Sequence, residues 1–234
     1  MSLVPQRGVL IEPTVKQARV AIFFGPTKVG KTSAAIQLKD HLIIDTEGGS
    51  AMYKCRRIGV ENLADIQTVY KELKNQPKEK YIVLDTIDNL VSWIVTSVCE
   101  RNGMETLQDF SFGKGYSLVR ERTMKVIKLL ESCCETLIII GHRKRSLIGD
   151  TSVEMDINTL DLPGAGLRNE LVAYADTIGF MFRDPESDKL MVSFEPKESG
   201  VEAGSRFNKG VIEFNWNTIF KNEESKQPKL GATK

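Results

Sequence analysis

Three observations predict an α/β fold for this 234-residue chain. The expected architecture is a mostly parallel central sheet flanked by helices, with antiparallel edge strands near the C-terminus. First, apolar runs of strand length are separated by helix-length segments, the pattern of strands joined by crossover helices. Second, the apolar run Arg19–Phe24 leads into Gly25-Pro26-Thr27-Lys28-Val29-Gly30-Lys31-Thr32, which fits G-x-x-x-x-G-K-[ST] without a mismatch. Third, two further apolar runs, His41–Asp45 and Tyr81–Thr86, carry an aspartate at their carboxyl ends, where ligand groups gather in open α/β sheets.

The glycine pattern has the surroundings it needs. A buried strand precedes it, and Ser33–Lys39, rich in helix formers, follows. Gly25 and Gly30 let the backbone turn and approach a polyphosphate. The loop N–H groups and the helix N-terminus then point at the anion. Gly25, Pro26, Thr27, Lys28, Val29, Gly30, Lys31, Thr32 and Ser33 are therefore the expected polyphosphate-binding positions. Lys31 is expected to reach the β and γ phosphates, and the Thr32 hydroxyl to ligate Mg²⁺.

The remaining elements follow in order. Val9-Leu10-Ile11 reads as a short edge strand. His41–Asp45 reads as a buried strand ending in Thr46-Glu47-Gly48-Gly49. Leu63–Leu73 is amphipathic, with Ile66, Val69, Tyr70 and Leu73 on one face. Tyr81–Thr86 is the strongest strand signal, and its Asp85 is expected to hold Mg²⁺ or its water shell. Asp88 is expected to cap or line the start of the next helix, about Ile87 to Glu100. Arg101–Gly115 reads as a loop and Tyr116–Ser132 as a helix. Thr136–Gly141 reads as a buried strand running into His142-Arg143-Lys144-Arg145. Residues 146–163 lack periodicity and carry Asp150, Glu154, Asp156 and Asp161; they read as a long acidic loop. Gly164–Tyr174 reads as a helix, and Asp176–Phe182, Leu190–Phe194 and Val211–Phe214 as strands. Residues 1–220 are expected to form one domain and 221–234 a flexible tail.

The chemistry can be placed on this frame. Thr86, not an acidic residue, follows Asp85, so a water-activating base must come from elsewhere. Glu47, at the end of another strand, is the candidate. His142, at a third strand end, is placed to report the γ-phosphate. Lys31, Glu47, Asp85 and His142 are thus the expected catalytic set, with Thr32 and Asp85 for the metal. Phe110, Phe112 and Lys114 sit on a glycine-hinged loop and suit stacking against single-stranded bases, or else the aromatics anchor the loop to the core. Arg143, Lys144 and Arg145 read as a phosphate-contact patch or a solvated loop.

Composition narrows the classes. Net charge is +1, so any nucleic-acid site must be a local patch. No apolar run approaches a membrane span, and Met1–Pro13 lacks a signal-peptide pattern; a cytoplasmic protein without a membrane partner is expected. The four cysteines form no C-x-x-C pair and there are only two histidines, so buried reduced thiols are expected in place of a zinc site.

With the loop, Asp45-Thr46-Glu47, the Tyr81–Thr86 strand and the Ile138–His142 strand end in one order, the chain resembles a RecA-like P-loop ATPase core. It is similar in particular to the phage-encoded RecA-like single-strand annealing ATPases, through Phe112-Gly113-Lys114-Gly115-Tyr116, Gly141-His142 and a closing strand ending in Asn215-Trp216. The resemblance implies ATP and Mg²⁺ as cofactors. It also implies ATP hydrolysis stimulated by single-stranded DNA and a role in annealing or homologous recombination in the host cytoplasm. It places two DNA loops at 101–115 and 146–163, the second more acidic than the family's pattern. It implies a ring or filament with nucleotide between subunits, completed by a basic residue of the neighbour, for which Lys197 and Arg206 are candidates. A single-strand DNA-binding protein is a further implied partner. The absence of the large flanking domains of full recombinases points to annealing or assistance.

Two other classes share the phosphate loop. A small-molecule or nucleotide kinase would need an arginine-rich lid beside an acceptor pocket, which is not apparent. A nucleotide-gated assembly ATPase would have no DNA role. A GTPase is disfavoured, because Asn208-Lys209 is followed by Gly210-Val211 and lacks the aspartate of N-K-x-D.

Overall fold

The computed structural model describes residues 15, 17–148, 155–196 and 200–220. Its elements are β1 (Val20–Gly25), α1 (Lys31–Ala35), β2 (His41–Asp45), β3 (Arg57–Gly59), α2 (Leu63–Leu73), β4 (Glu79–Asp85), α3 (Ile87–Arg101) and α4 (Lys114–Glu131). These are followed by β5 (Cys134–Ile148), β6 (Met155–Leu160), α5 (Ala165–Tyr174), β7 (Thr177–Arg183), β8 (Leu190–Ser193), β9 (Gly204–Ser205), β10 (Val211–Glu213) and α6 (Trp216–Ile219). The expected edge strand at Val9–Ile11 and the tail at 221–234 lie outside the described residues, as does Lys197.

The sheet runs in the order β10-β8-β7-β1-β5-β4-β2-β3. Strands β7, β1, β5, β4, β2 and β3 are parallel, whereas β8 and β10 continue the edge antiparallel. The α/β fold with antiparallel C-terminal edge strands is as the sequence predicts. Strand β1 sits near the middle, so the glycine loop emerges at the centre of the sheet's carboxyl edge.

The strands are apolar on both faces because both are covered. Period-two geometry sorts the side chains. Ile22, Phe24, Ile44, Leu84 and Ile139 join the core under α2 to α5. Ala21, Phe23, Ile43, Val83 and Ile138 join the opposite core, with α1 and the C-terminal segment. There Trp216 meets Phe23 and Phe214 edge-on and stacks on Phe220. Its indole N–H donates to the Ala34 carbonyl at 2.7 Å, so the aromatic cluster braces the helix that carries the loop's Lys31 and Thr32.

Four readings change. Residues 146–163 are not one loop: β5 extends to Ile148 and β6 returns antiparallel from Met155, pairing Arg143 with Leu160 through Ile148 with Met155. The mixed polar sequence conceals this hairpin because it projects past the parallel sheet and needs no continuous apolar face. Helix α1 ends at Ala35, short of Lys39; Gln37 and Leu38 tighten to i→i+3 bonds before Asp40 takes a positive φ of 59°. Strand β3 escapes prediction because it is three residues long with no apolar run. Asn215-Trp216 does not close a strand: the Asn215 side chain accepts from the Asn217 N–H and caps α6.

Candidate nucleotide site

The site is built at the carboxyl edge where β1, β2, β4 and β5 end side by side. At Gly25 any side chain would run into the Met181 carbonyl on β7, so the loop can leave the sheet only as glycine. Gly30 holds φ 113° immediately before α1, a conformation costly for other residues. The Val29 side chain is turned into the core, so only its backbone is available to a ligand. Lys31 is 6% exposed, and its ammonium donates to the carbonyls of Gly25 at 3.2 Å and Pro26 at 2.9 Å. Burial pulls its pKa below the usual lysine value, against the pull of Asp85, Asp88 and Glu47. An anion in the loop would reverse that.

Asp85 is a deeply buried carboxylate. It is 2% exposed. The Thr32 hydroxyl donates to its Oδ2 at 2.7 Å, while its Oδ1 is buried with no hydrogen-bond partner. Burial raises its pKa to about 6, with Glu47 and Asp45 adding to the rise and the Thr32 bond and Lys31 opposing it. An orphan buried carboxylate oxygen beside a threonine hydroxyl is a donor set suited to a hard divalent cation such as Mg²⁺. The residues present therefore fit the ion that the loop motif implies.

Glu47 and His142 face the same cleft. The Thr86 hydroxyl donates to Glu47 Oε1 at 2.8 Å. Its strand end is clasped to the next one: the Thr86 N–H donates to Thr46 Oγ1 at 2.7 Å, and Asn89 Nδ2 donates to the Thr46 carbonyl at 2.9 Å. His142 Nδ1 lies 3.8 Å from Glu47 Oε1 and 3.1 Å from Asp88 Oδ2. Asp88 also accepts the His142 backbone N–H at 3.2 Å. Asp88 thus clamps the point where β5 leaves the sheet, a role the sequence reading of a helix cap did not reach. The Asp88 hydrogen bond raises the His142 pKa above the ordinary imidazole value, against partial burial and Lys31.

These groups line one cleft of about 340 Å³, bounded by Thr27, Lys28, Lys31, Thr32, Glu47 and His142 among others. Tyr53 also lines it, with its hydroxyl 3.3 Å from Ser33 Oγ. No pattern in the sequence marks Tyr53, which follows a glycine turn without secondary-structure signal.

Asp45 is different. It accepts from the backbone N–H groups of Glu47, Gly48 and Ser50 and from the Ser50 hydroxyl. It shapes the turn that presents Glu47 and has no valence left for chemistry.

The residues expected at DNA divide. Phe110 is 7% exposed and packs over Gly115; it anchors the loop and does not face a partner. Phe112 is fully exposed, on a left-handed backbone of φ 54°, and the exposed Lys114 begins α4. Arg143, Lys144 and Arg145 are neither a loop nor one patch: they alternate along β5. Arg143 donates to Asn158 Oδ1 at 3.0 Å, and Lys144 lies 3.9 Å from Asp161. Arg206 is exposed but pairs with Asp176 at 3.1 Å, at the amino end of β7, opposite the glycine loop.

A strand–glycine loop–helix with its lysine, its metal-suited carboxylate and a second carboxylate in one cleft defines a P-loop nucleotide-binding domain. Residues 16–207 match the family model AAA_24, described as "AAA domain", and the chain belongs to that family. No curated protein matches the chain by sequence. Among solved structures, the crystal structure of the RadB recombinase is similar over 86% of this chain and 88% of that one, with 12% identity and a TM-score of 0.47. No helix among the described residues is long and apolar enough to cross a membrane.

Proposed function

We propose that the chain is a RecA-like ATPase that binds ATP with Mg²⁺ in this cleft, hydrolyses it, and uses the nucleotide state to control binding of single-stranded DNA in annealing or recombination. One observation carries the reading: Lys31, Thr32, Asp85, Glu47 and His142, from four separate segments, face one cleft. A kinase or a passive binder needs the first three; a carboxylate on the glycine turn after β2 adds a base for water.

The geometry supports the following roles. The loop N–H groups cradle the phosphates, and Lys31 leaves its carbonyl partners for them. Thr32 and Asp85 would hold Mg²⁺, which would supply charge neutralisation for the phosphates. Glu47, fixed by Thr86, takes the proton of the attacking water. His142 donates to the γ-phosphate side and, through the Asp88 clamp, ties that contact to the root of the β5–β6 hairpin. Tyr53 gives the base an aromatic face. Phe112 and Lys114 supply a stacking ring and a cation for single-stranded bases, and subunits assemble into a ring or filament around shared nucleotide.

Steady-state ATP turnover, measured with and without a single-stranded oligonucleotide, tests the proposal. Turnover that requires Mg²⁺, vanishes in Lys31→Ala and rises with DNA supports it. Turnover indifferent to DNA leaves an assembly ATPase, and phosphate transfer to nucleosides in place of water leaves a kinase.

A further inference from the structure

Helices α2, α3 and α4 enclose a groove remote from the nucleotide cleft. Its deeper part, about 250 Å³, is floored by aliphatic side chains, among them Leu63, Ile94, Val126 and Leu129. An adjoining, more open part of about 400 Å³ continues it between α2 and α3, sharing Leu63, Gln67, Ser97 and Arg101. Leu63, Val126 and Leu129 are only partly buried, so the helices leave apolar surface uncovered there. Arg101, Arg122 and Lys125 rim the deeper part, which no acidic residue lines; Glu100 enters only at the open end. None of the three cations forms an ion pair among the described residues, although lysines and arginines elsewhere do, as in Arg56–Glu79, Arg120–Glu170 and Lys189–Glu213.

We propose that this groove docks a short acidic segment of a partner protein, whose apolar side chains enter the aliphatic floor and whose carboxylates meet Arg101, Arg122 and Lys125. Charge complementarity selects the occupant. With a net charge of only +1 on the whole chain, three unpaired cations around one apolar slot are a local feature that an anionic ligand would satisfy. The floor selects protein over nucleic acid. Phosphates ask for cations alone, and unpaired bases ask for aromatic platforms, whereas aliphatic side chains ask for an aliphatic slot ringed by polar groups. An amphipathic helix or turn with acidic flanks meets both demands.

Selection of displayed random peptides of about a dozen residues on the full chain tests this. The enriched peptides should combine two or more large apolar residues with a net negative charge. Their synthetic versions should bind in fluorescence anisotropy and weaken about tenfold or more in R122E/K125E. They should weaken also at high salt. Circular dichroism and ATP binding of R122E/K125E should match the parent, because neither residue is among the buried ones of α4 and neither lines the cleft. A milder variant, Val126→Ser, should weaken the same peptides through the floor alone. Failure to enrich any peptide, enrichment of basic or uncharged peptides, or binding that survives both variants would overturn the proposal. So would loss of single-strand binding in R122E/K125E with the peptides unaffected, which would assign the rim to nucleic acid. A change of oligomeric state in that variant without peptide would assign it to a second copy of the chain.

Discussion

Asp45 and Asp85 make a controlled comparison inside one sheet. Each ends an apolar strand, each is nearly inaccessible, and the two are direct partners across the parallel β2–β4 register. They are nevertheless opposite in chemistry. Burial pulls the Asp45 pKa upward, but bonds from Ser50, Glu47 and Gly48 outweigh it and hold the carboxyl below its ordinary value. Asp85 has one hydroxyl and an orphan oxygen, and burial wins. A carboxylate saturated with donors is architecture, and one left short of them is a candidate ligand for a cation.

Exchange of each for asparagine separates the two most sharply. Asp85→Asn should reduce Mg²⁺-dependent turnover by roughly a hundredfold or more. With metal and nucleotide chelated away, it should also raise the stability of the protein at pH 7, by up to about 3 kcal/mol. The sign follows from linkage. A carboxyl whose folded pKa, about 6, exceeds its unfolded value near 4 stabilises the fold when protonated. The parent protein should gain stability as pH falls from about 6 to about 4, and Asp85→Asn should lose that gain. Asp45→Asn should instead cost about 3 kcal/mol at pH 7, because buried N–H groups lose a charged acceptor. Its contribution is present above the unfolded pKa and lost as pH falls through the lower folded one. Denaturant melts of both variants across this pH range check the contrast; two melts that move together would dissolve it.

Glu47 tests what Asp45 is for. Glu47→Gln keeps an acceptor for the Thr86 hydroxyl, so the turn should survive and ATP should still bind. Hydrolysis should slow by roughly 10² to 10⁴, as read from bound ATP in single-turnover experiments. If Asp45→Asn shows the same hydrolytic defect before it unfolds, the turn and the base are one device. If ATP binding fails in Glu47→Gln, Glu47 is structural like its neighbour.

The contrast also marks what the sequence made legible. The glycine loop, Lys31, Thr32 and the strands bearing Glu47, Asp85 and His142 could be read because each combines a local pattern with a position at a strand's carboxyl end. Asp85 could be read as well, from the strongest strand signal downstream of the loop; that Asp45 shapes a turn could not, since its donors come from the backbone of that turn. Asp88 escaped because its partner, His142, is 54 positions away in sequence. The β5–β6 hairpin and Tyr53 escaped for a different reason: they are set by tertiary contacts with neighbours, not by periodicity.

Asp88→Asn probes the clamp with a smaller effect. His142, raised in pKa by that carboxylate, contributes stability that is fully present below the unfolded imidazole value and lost as pH rises through its higher folded value. The stability gap between parent and variant should therefore be about 1 kcal/mol near pH 6 and close toward alkaline pH. Turnover that uses His142 as a donor on both ring nitrogens needs the protonated imidazole, so its alkaline-side inflection should move to lower pH in the variant. A gap that is the same at all pH values would make Asp88 a neutral hydrogen-bonding brace.

The finest distinction belongs to Phe110 and Phe112, two residues apart in one loop. Phe110→Ala should cost about 3 kcal/mol of stability, because its ring fills the space over Gly115. Phe112→Ala should leave the melt unchanged, because the ring touches solvent alone. Its effect should appear only with single-stranded oligonucleotide, as a loss of about 1 to 3 kcal/mol in binding. A fully exposed aromatic on a left-handed backbone adds no buried contact to the isolated fold, so a binding defect in Phe112→Ala would report a partner and not stability. If Phe112→Ala binds DNA as tightly as the parent, while Lys114→Ala does too, the loop is not a DNA contact, and the nucleotide switch must be read out elsewhere on the surface.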